Sequence, residues 1–282
     1  MAWRSRFGLM VALVCLLLSG SVQAEDYLSA GEIAAVSGGS IALMGLRGVV
    51  NRFDSTRQPL ISGPLPGEET IQRWLGGDPK PGKRNFLDDK AGSIVTPLTL
   101  AVALTAIDLS WPRQDKGKET AQDLFLYISG LVAVKGVTGV AKGLVARRRP
   151  ILHFAPELAP HTNEGEWRHH RQSFFSGHTS SSFFAAAYLN LRMRTIMRAE
   201  LSPMDYRSWR WAPPTLLFGW SSFVGLSRIH AYRHYLSDVL AGALVGTIMA
   251  ELFFALNDSP SISDDDGNAS STPMLLRMRY RF

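Results

Sequence analysis

Five apolar stretches, at 96–111, 124–145, 180–191, 215–226 and 239–256, dictate most of what this 282-residue chain is able to fold into. Their length, their Ala and Leu content and the lack of period-two alternation predict helices rather than strands. The expected fold class is therefore all-α: a multi-helix, membrane-associated bundle. A helix needs about 20 mostly apolar residues to cross a bilayer. Only 124–145 and 239–256 approach that length, and the former carries Lys135 and Lys142. Mean hydropathy near zero is low for a polytopic protein. No change of composition within 90–256 calls for a second domain.

The flanks carry other signals. Arg4 and Arg6 precede an apolar run at 7–18 and a small-residue segment ending at Ala24, which fits a secretory signal cleaved after Ala24. An uncleaved signal anchor is the competing reading. Cys15, the single cysteine, lies in that run, so a cleaved chain has no thiol and no disulfide. The expected organisation is a signal peptide or anchor at 1–24, an exported N-terminal segment at 25–92, a helical domain at 93–256 and a flexible tail at 257–282. Within the second segment, 33–50 is Gly-rich and mildly apolar, and its topology stays open. Residues 54–92, with Pro59, Pro64, Pro66, Pro79 and Pro81, read as an extended surface connection.

Net charge is +6 and the pI is near 9.6. Arginines cluster in short stretches beside apolar runs, and no long basic tract interleaved with aromatics is present, which argues against a nucleic-acid partner. The connection at 112–118 and the group Arg192, Arg194, Arg198, Arg207 and Arg210 are basic, as the positive-inside rule expects of cytoplasmic loops. With Glu25 exported, the same count puts residues 142–178 and 227–238 on the exported side. The basic stretch from Arg147 to Arg171 also falls there and has to be read as part of a functional loop.

Three fragments carry chemistry. Lys142 and Arg149 lie seven apart, on one face if the helix persists, and Pro150 marks its exit. A lysine point charge and a forked guanidinium suit a phosphate dianion. Taken alone, with Arg147 and Arg148 beside them, they read as ordinary membrane-flanking cations. Ser176-Gly177-His178 precedes a helical run, where free N–H groups, a glycine and a serine hydroxyl make an anion cradle. His178 projects from the same turn and suits proton transfer. In the third fragment Arg228 adds a cation, and His234 and Asp238, four apart, place a carboxylate against one ring nitrogen and leave the other lone pair for phosphorus.

In this order and spacing, Lys142-x6-Arg149-Pro150, Ser176-Gly177-His178 and Ser227-Arg228-x5-His234-x3-Asp238 resemble the type 2 phosphatidic acid phosphatase superfamily, over about 98–256. The run Ser237-Asp238-Val239-Leu240-Ala241-Gly242 before an apolar helix looks like its lipid phosphatase branch. The resemblance implies a phosphatase/haloperoxidase-type helical core and hydrolysis of a lipid phosphomonoester or diphosphate without metal or other cofactor. It implies His234 as nucleophile forming a phosphohistidine, Asp238 orienting it, and His178 protonating the leaving group and then activating water. Lys142, Arg149, Ser176, Gly177 and Arg228 would hold the phosphate. Phe175 stands where the family pattern has proline.

Other readings compete. His230, His234 and Asp238 at successive steps of four are a possible metal set, although three cations at the same place would repel a divalent ion. A soluble periplasmic acid phosphatase fits the signal and the low hydropathy, a vanadium haloperoxidase uses the same residues, and a non-catalytic headgroup anchor needs only the cations. The connection at 151–175, with His153, His161, His169, His170, Trp167, Arg168 and Arg171, reads as a lid or as a plain polar loop. The expected location is a bacterial inner membrane with the site facing the periplasm, and the expected partners are a lipid phosphate substrate and membrane lipids.

Overall fold

The computed structural model describes residues 27–52, 58–77, 87–112, 115–158 and 170–257. The signal segment, most of the tail and much of the 151–175 connection, including His161, Trp167, Arg168 and His169, lie outside the described residues. Among those described, all regular structure is helical. The α-helices are α1 (Ala30–Arg52), α2 (Glu68–Leu75), α3 (Thr96–Ser110), α4 (Lys116–Val145), the single turn α5 (Ile151–Phe154), α6 (Gly177–Glu200), α7 (Pro203–Trp209), α8 (Ala212–His230) and α9 (Leu236–Ala255). A π-helical stretch, Leu87–Val95, runs directly into α3.

The six long helices alternate in direction. One end of the bundle gathers the starts of α1 and α4, where Tyr27 Oη donates to Asp115 Oδ2 and Leu28 N donates to Gln122 Oε1. It also gathers the ends of α3 and α6, where Trp111 Nε1 donates to Glu200 Oε1 at 2.6 Å. The opposite end collects the last turns of α4 and α8 and the first turns of α6 and α9. All three phosphate-type fragments meet at that second end.

Close helix approach depends on missing side chains. Gly242 and Gly246 of α9 face the first turns of α6, and a Cβ at Gly242 would lie 2.7 Å from the Ser176 carbonyl oxygen. A Cβ at Gly246 would collide with the Ser180 carbonyl. Gly136 and Gly139 of α4 admit Leu43 and Arg47 of α1 in the same way. Between α4, α6 and α9 the core is aromatic, built on Tyr127, Phe184, Tyr188, Phe253 and Phe254.

The structure revises several expectations. Among the described residues, four helices rather than two are long and apolar enough to cross a bilayer: Ala30–Val50, Lys90–Ser110, Lys116–Val145 and Leu236–Ala255. Glycines dilute the apolarity of the first, and the first turns of the second carry polar residues, so neither stands out in the sequence as a full span. The 54–92 connection is not merely extended surface chain. It contains α2, whose Glu68 and Gln72 are buried, with Gln72 Nε2 donating to Ile229 O at 2.7 Å. Arg192, counted with the loop cations, is a buried residue of α6 that pairs with Asp108 at 2.6 Å and Asp123 at 2.9 Å. That knot joins α3, α4 and α6 at the end remote from the phosphate-type fragments.

Candidate active site

The site is assembled from chain breaks between helices, where backbone groups are free and side chains converge. Helix α4 stops at Val145 because Ala146 takes a left-handed conformation, φ 49°. Arg149 therefore follows the helix end rather than sharing its face with Lys142. Its amide donates to His170 O at 2.8 Å, while Ser173 N donates to Arg147 O at 2.9 Å, laying the first fragment alongside the approach to the second. Ile151 N donates to Tyr232 O, and Ser176 N to Asp238 O at 3.0 Å, so the third fragment touches both of the others.

Ser176 caps α6, its hydroxyl accepting from Thr179 N and Thr179 Oγ1. Gly177 opens the helix next to Lys142, whose Nζ would lie 3.8 Å from a Cβ at that position. His178 follows in the first turn, partly exposed, against Gly92 of the π-helical stretch. Arg228 is buried in the last turn of α8. Arg233 N and His234 N both donate to the Arg228 carbonyl, which folds the connection so that His234 is buried beneath it.

His234 precedes α9 rather than riding on it, because Tyr235 is the N-cap. Asp238 sits at the third helical position, and its Oδ2 accepts from Tyr235 N at 3.0 Å, one half of a capping box. The same Oδ2 is 3.7 Å from His234 Nδ1. Burial, then the positive charges of Arg149, Lys142, Arg228 and His178, hold the His234 imidazole well below the ordinary histidine range, and so neutral at pH 7. The structure thus brings His234, Asp238, His178, Lys142, Arg149, Ser176, Gly177 and Arg228 to one end of the bundle. It does not bring His230 in. That ring is exposed, packed on Gly77 with Nδ1 against Leu75 O, which removes the third member of the metal set read from the sequence.

Three residues in the site were not foreseen. Arg147 is fully buried and donates to Asp238 Oδ1 at 2.7 Å, to Ser237 Oγ at 2.7 Å and to Glu68 Oε2 at 2.5 Å, with its guanidinium 4.1 Å from the Tyr235 ring centroid. Ser173 Oγ donates to Asp238 Oδ2 at 2.5 Å. Glu68 Oε1 accepts from Ser237 N at 2.9 Å. In the sequence Arg147 was indistinguishable from its exposed neighbour Arg148. Glu68 carried one weak signal, an acidic pair followed by Ile71, Gln72 and Leu75 at helical spacing.

Residues 123–259 match the PAP2 superfamily, a span containing every member of the site named above except Glu68. This part of the chain belongs to the PAP2 superfamily. Similar curated proteins include rat phospholipid phosphatase 1, 28% identical over 55% of this chain and 61% of its own length. Human phospholipid phosphatase 2 is 26% identical over 57% of this chain and 63% of its own. The chain thus spans about three fifths of the length of those relatives. Among solved structures, a transmembrane PAP2-type phosphatidylglycerolphosphate phosphatase from Bacillus subtilis aligns with a TM-score of 0.43 and 16% identity, over 88% of this chain and 96% of its own.

Proposed function

We propose that this PAP2 protein hydrolyses a phosphomonoester or diphosphate of a membrane lipid, without a metal, through a phosphohistidine on His234. The observation that carries the reading is a buried imidazole with Asp238 on its Nδ1 side and Lys142, Arg149 and Arg228 around it, a setting that disfavours the protonated ring. A neutral ring keeps a lone pair for phosphorus, and the surrounding cations favour an incoming phosphate dianion over a divalent ion.

In the proposed first step Nε2 of His234 attacks phosphorus, Asp238 stabilises the imidazolium by receiving its Nδ1–H, and His178 gives a proton to the departing lipid oxygen. His178 then takes a proton from water, whose oxygen attacks the phosphohistidine and breaks the P–N bond, releasing phosphate and restoring His234. Lys142, Arg149, Arg228, Ser176 and the amides at Gly177 hold the non-bridging oxygens throughout. The four apolar helices support substrate arrival from a bilayer rather than from solution.

The arginine distribution supports a reading of the side of the membrane. Arg149 and Arg228 are buried in the site and do not act as flanking charges, whereas Lys116, Lys118, Arg194, Arg198, Arg207 and Arg210 lie at the other end. This favours a site at the exported, periplasmic face of a bacterial inner membrane. With α1 also crossing, Tyr27 falls on the cytoplasmic side, which conflicts with an exported Glu25 and favours the arginine count over cleavage after Ala24. The decisive experiment measures phosphate release by detergent-purified protein from a panel of lipid phosphates and diphosphates, with a soluble aryl phosphate as comparison. His234→Ala is expected to lower the rate at least ~100-fold; parental turnover by that variant would remove His234 from the reaction.

A further inference from the structure

We infer that Glu68 and Arg147 are positioning residues that set the charge Asp238 offers to His234, so that an N-terminal helix outside the PAP2-matching span tunes the nucleophile. This rests on the assignment of His234 under Proposed function. The geometry is a buried chain of three ionisable side chains: Glu68 Oε2 at 2.5 Å from Arg147 Nη2, and Arg147 Nη1 at 2.7 Å from Asp238 Oδ1. Side-chain exposure along it is 7%, 0% and 0%, so water does little to screen one member from the next. The two Asp238 oxygens have different work. Oδ1 faces Arg147, while Oδ2 takes Ser173, the Tyr235 amide and the His234 ring.

One guanidinium is thereby shared between two carboxylates. Each gets part of its charge, and Asp238 keeps negative charge that stabilises the imidazolium as the P–N bond forms. Without the Glu68 carboxylate, Arg147 would give its whole field to Asp238 and the ring would become less basic. Without the Arg147 charge, Asp238 would act on His234 unopposed and the ring would become more basic. Glu68 is well fixed for such a part. Its Oε2 also accepts from Leu65 N at 2.6 Å, and its Oε1 accepts from Ser237 N at the start of α9. The other charged groups acting on His234 come from every element around it: Lys142 of α4, Arg149 after it, His178 of α6 and Arg228 of α8. None of these changes in the variants below.

The test compares Glu68→Gln, Arg147→Gln and Arg147→Lys in the full-length, detergent-purified protein. Two readouts are used: the pH dependence of kcat/KM on a lipid phosphate, and the titration of the His234 ring by NMR with histidine labelling, assigned through His234→Ala. Opposite displacements are expected. Glu68→Gln moves the acid limb and the ring titration to lower pH, and Arg147→Gln moves both to higher pH, each by about half a unit or more. Arg147→Lys keeps the charge and holds the limb near its parental position while lowering kcat, because the fork that reaches both carboxylates is lost. A purely structural role predicts lower activity or yield with no displacement, or displacement of one sign in both Gln variants; either result overturns the inference. The ring titration separates the two claims. Opposite shifts without phosphate release from any lipid would leave the coupling standing and sink the phosphatase reading, whereas release that depends on His234 with unmoved limbs would do the reverse.

Discussion

At the level of single residues, holding His234 toward its neutral form has a consequence for stability as well as for the proposed attack on phosphorus. Its folded-state pKa lies well below 6.5, the value expected of the unfolded chain, so below that pH the unfolded state binds more protons. Stability contributed by the neutral ring is therefore complete above about pH 6.5 and is lost as pH falls from there toward the folded pKa. Thermal unfolding followed between pH 8 and pH 5 is expected to show a melting temperature that declines on the acid side, with a shallower decline in His234→Gln. Equal slopes in the two proteins would show that the ring is not buried uncharged. Bound phosphate should oppose the decline, because an anion in the site favours the protonated ring.

Helices set how close these residues come. Gly246 lets α9 approach α6 until its Cα side meets the Ser180 carbonyl, a backbone atom that cannot rotate away. Gly246→Val is expected to cost about 1–3 kcal/mol through forced separation of the two helices. It should also lower activity by displacing Asp238, two turns earlier on α9, from Ser173; unchanged unfolding and turnover would refute the tight contact. Elements of this kind were unevenly legible beforehand. Apolar length and composition were enough to place the cores of α3, α4, α6, α8 and α9. The ends were not legible, because Ala146 and Tyr235 end or begin helices through backbone geometry and capping, with no glycine or proline to announce it. In the same way the motifs picked out the residues proposed to hold a phosphate but not those that face Asp238 from behind. Arg147 and Arg192 look like loop cations until their carboxylate partners, distant in sequence, are seen against them.

For the whole molecule, alternation of the six long helices ties the side of the site to the side of Tyr27. Single cysteines introduced into a Cys15→Ser background at Trp74, 83% exposed near the site, and at Met204, 78% exposed at the far end, report the two faces. In intact cells a membrane-impermeant maleimide is expected to label the first, and the second only after permeabilisation. Reversed labelling would place the site in the cytoplasm, and labelling of both before permeabilisation would show that the bundle does not cross the membrane. The tie between Glu68 and Ser237 spans 169 residues, and that between Gln72 and Ile229 spans 157. During synthesis, then, Arg147 emerges long before Asp238, and its buried cation lacks one of its two counter-charges until α9 has left the ribosome. A nascent chain halted ahead of α9 carries every residue of the three motifs except Asp238, so the last helix brings the one carboxylate that ties Arg147 to the His234 turn.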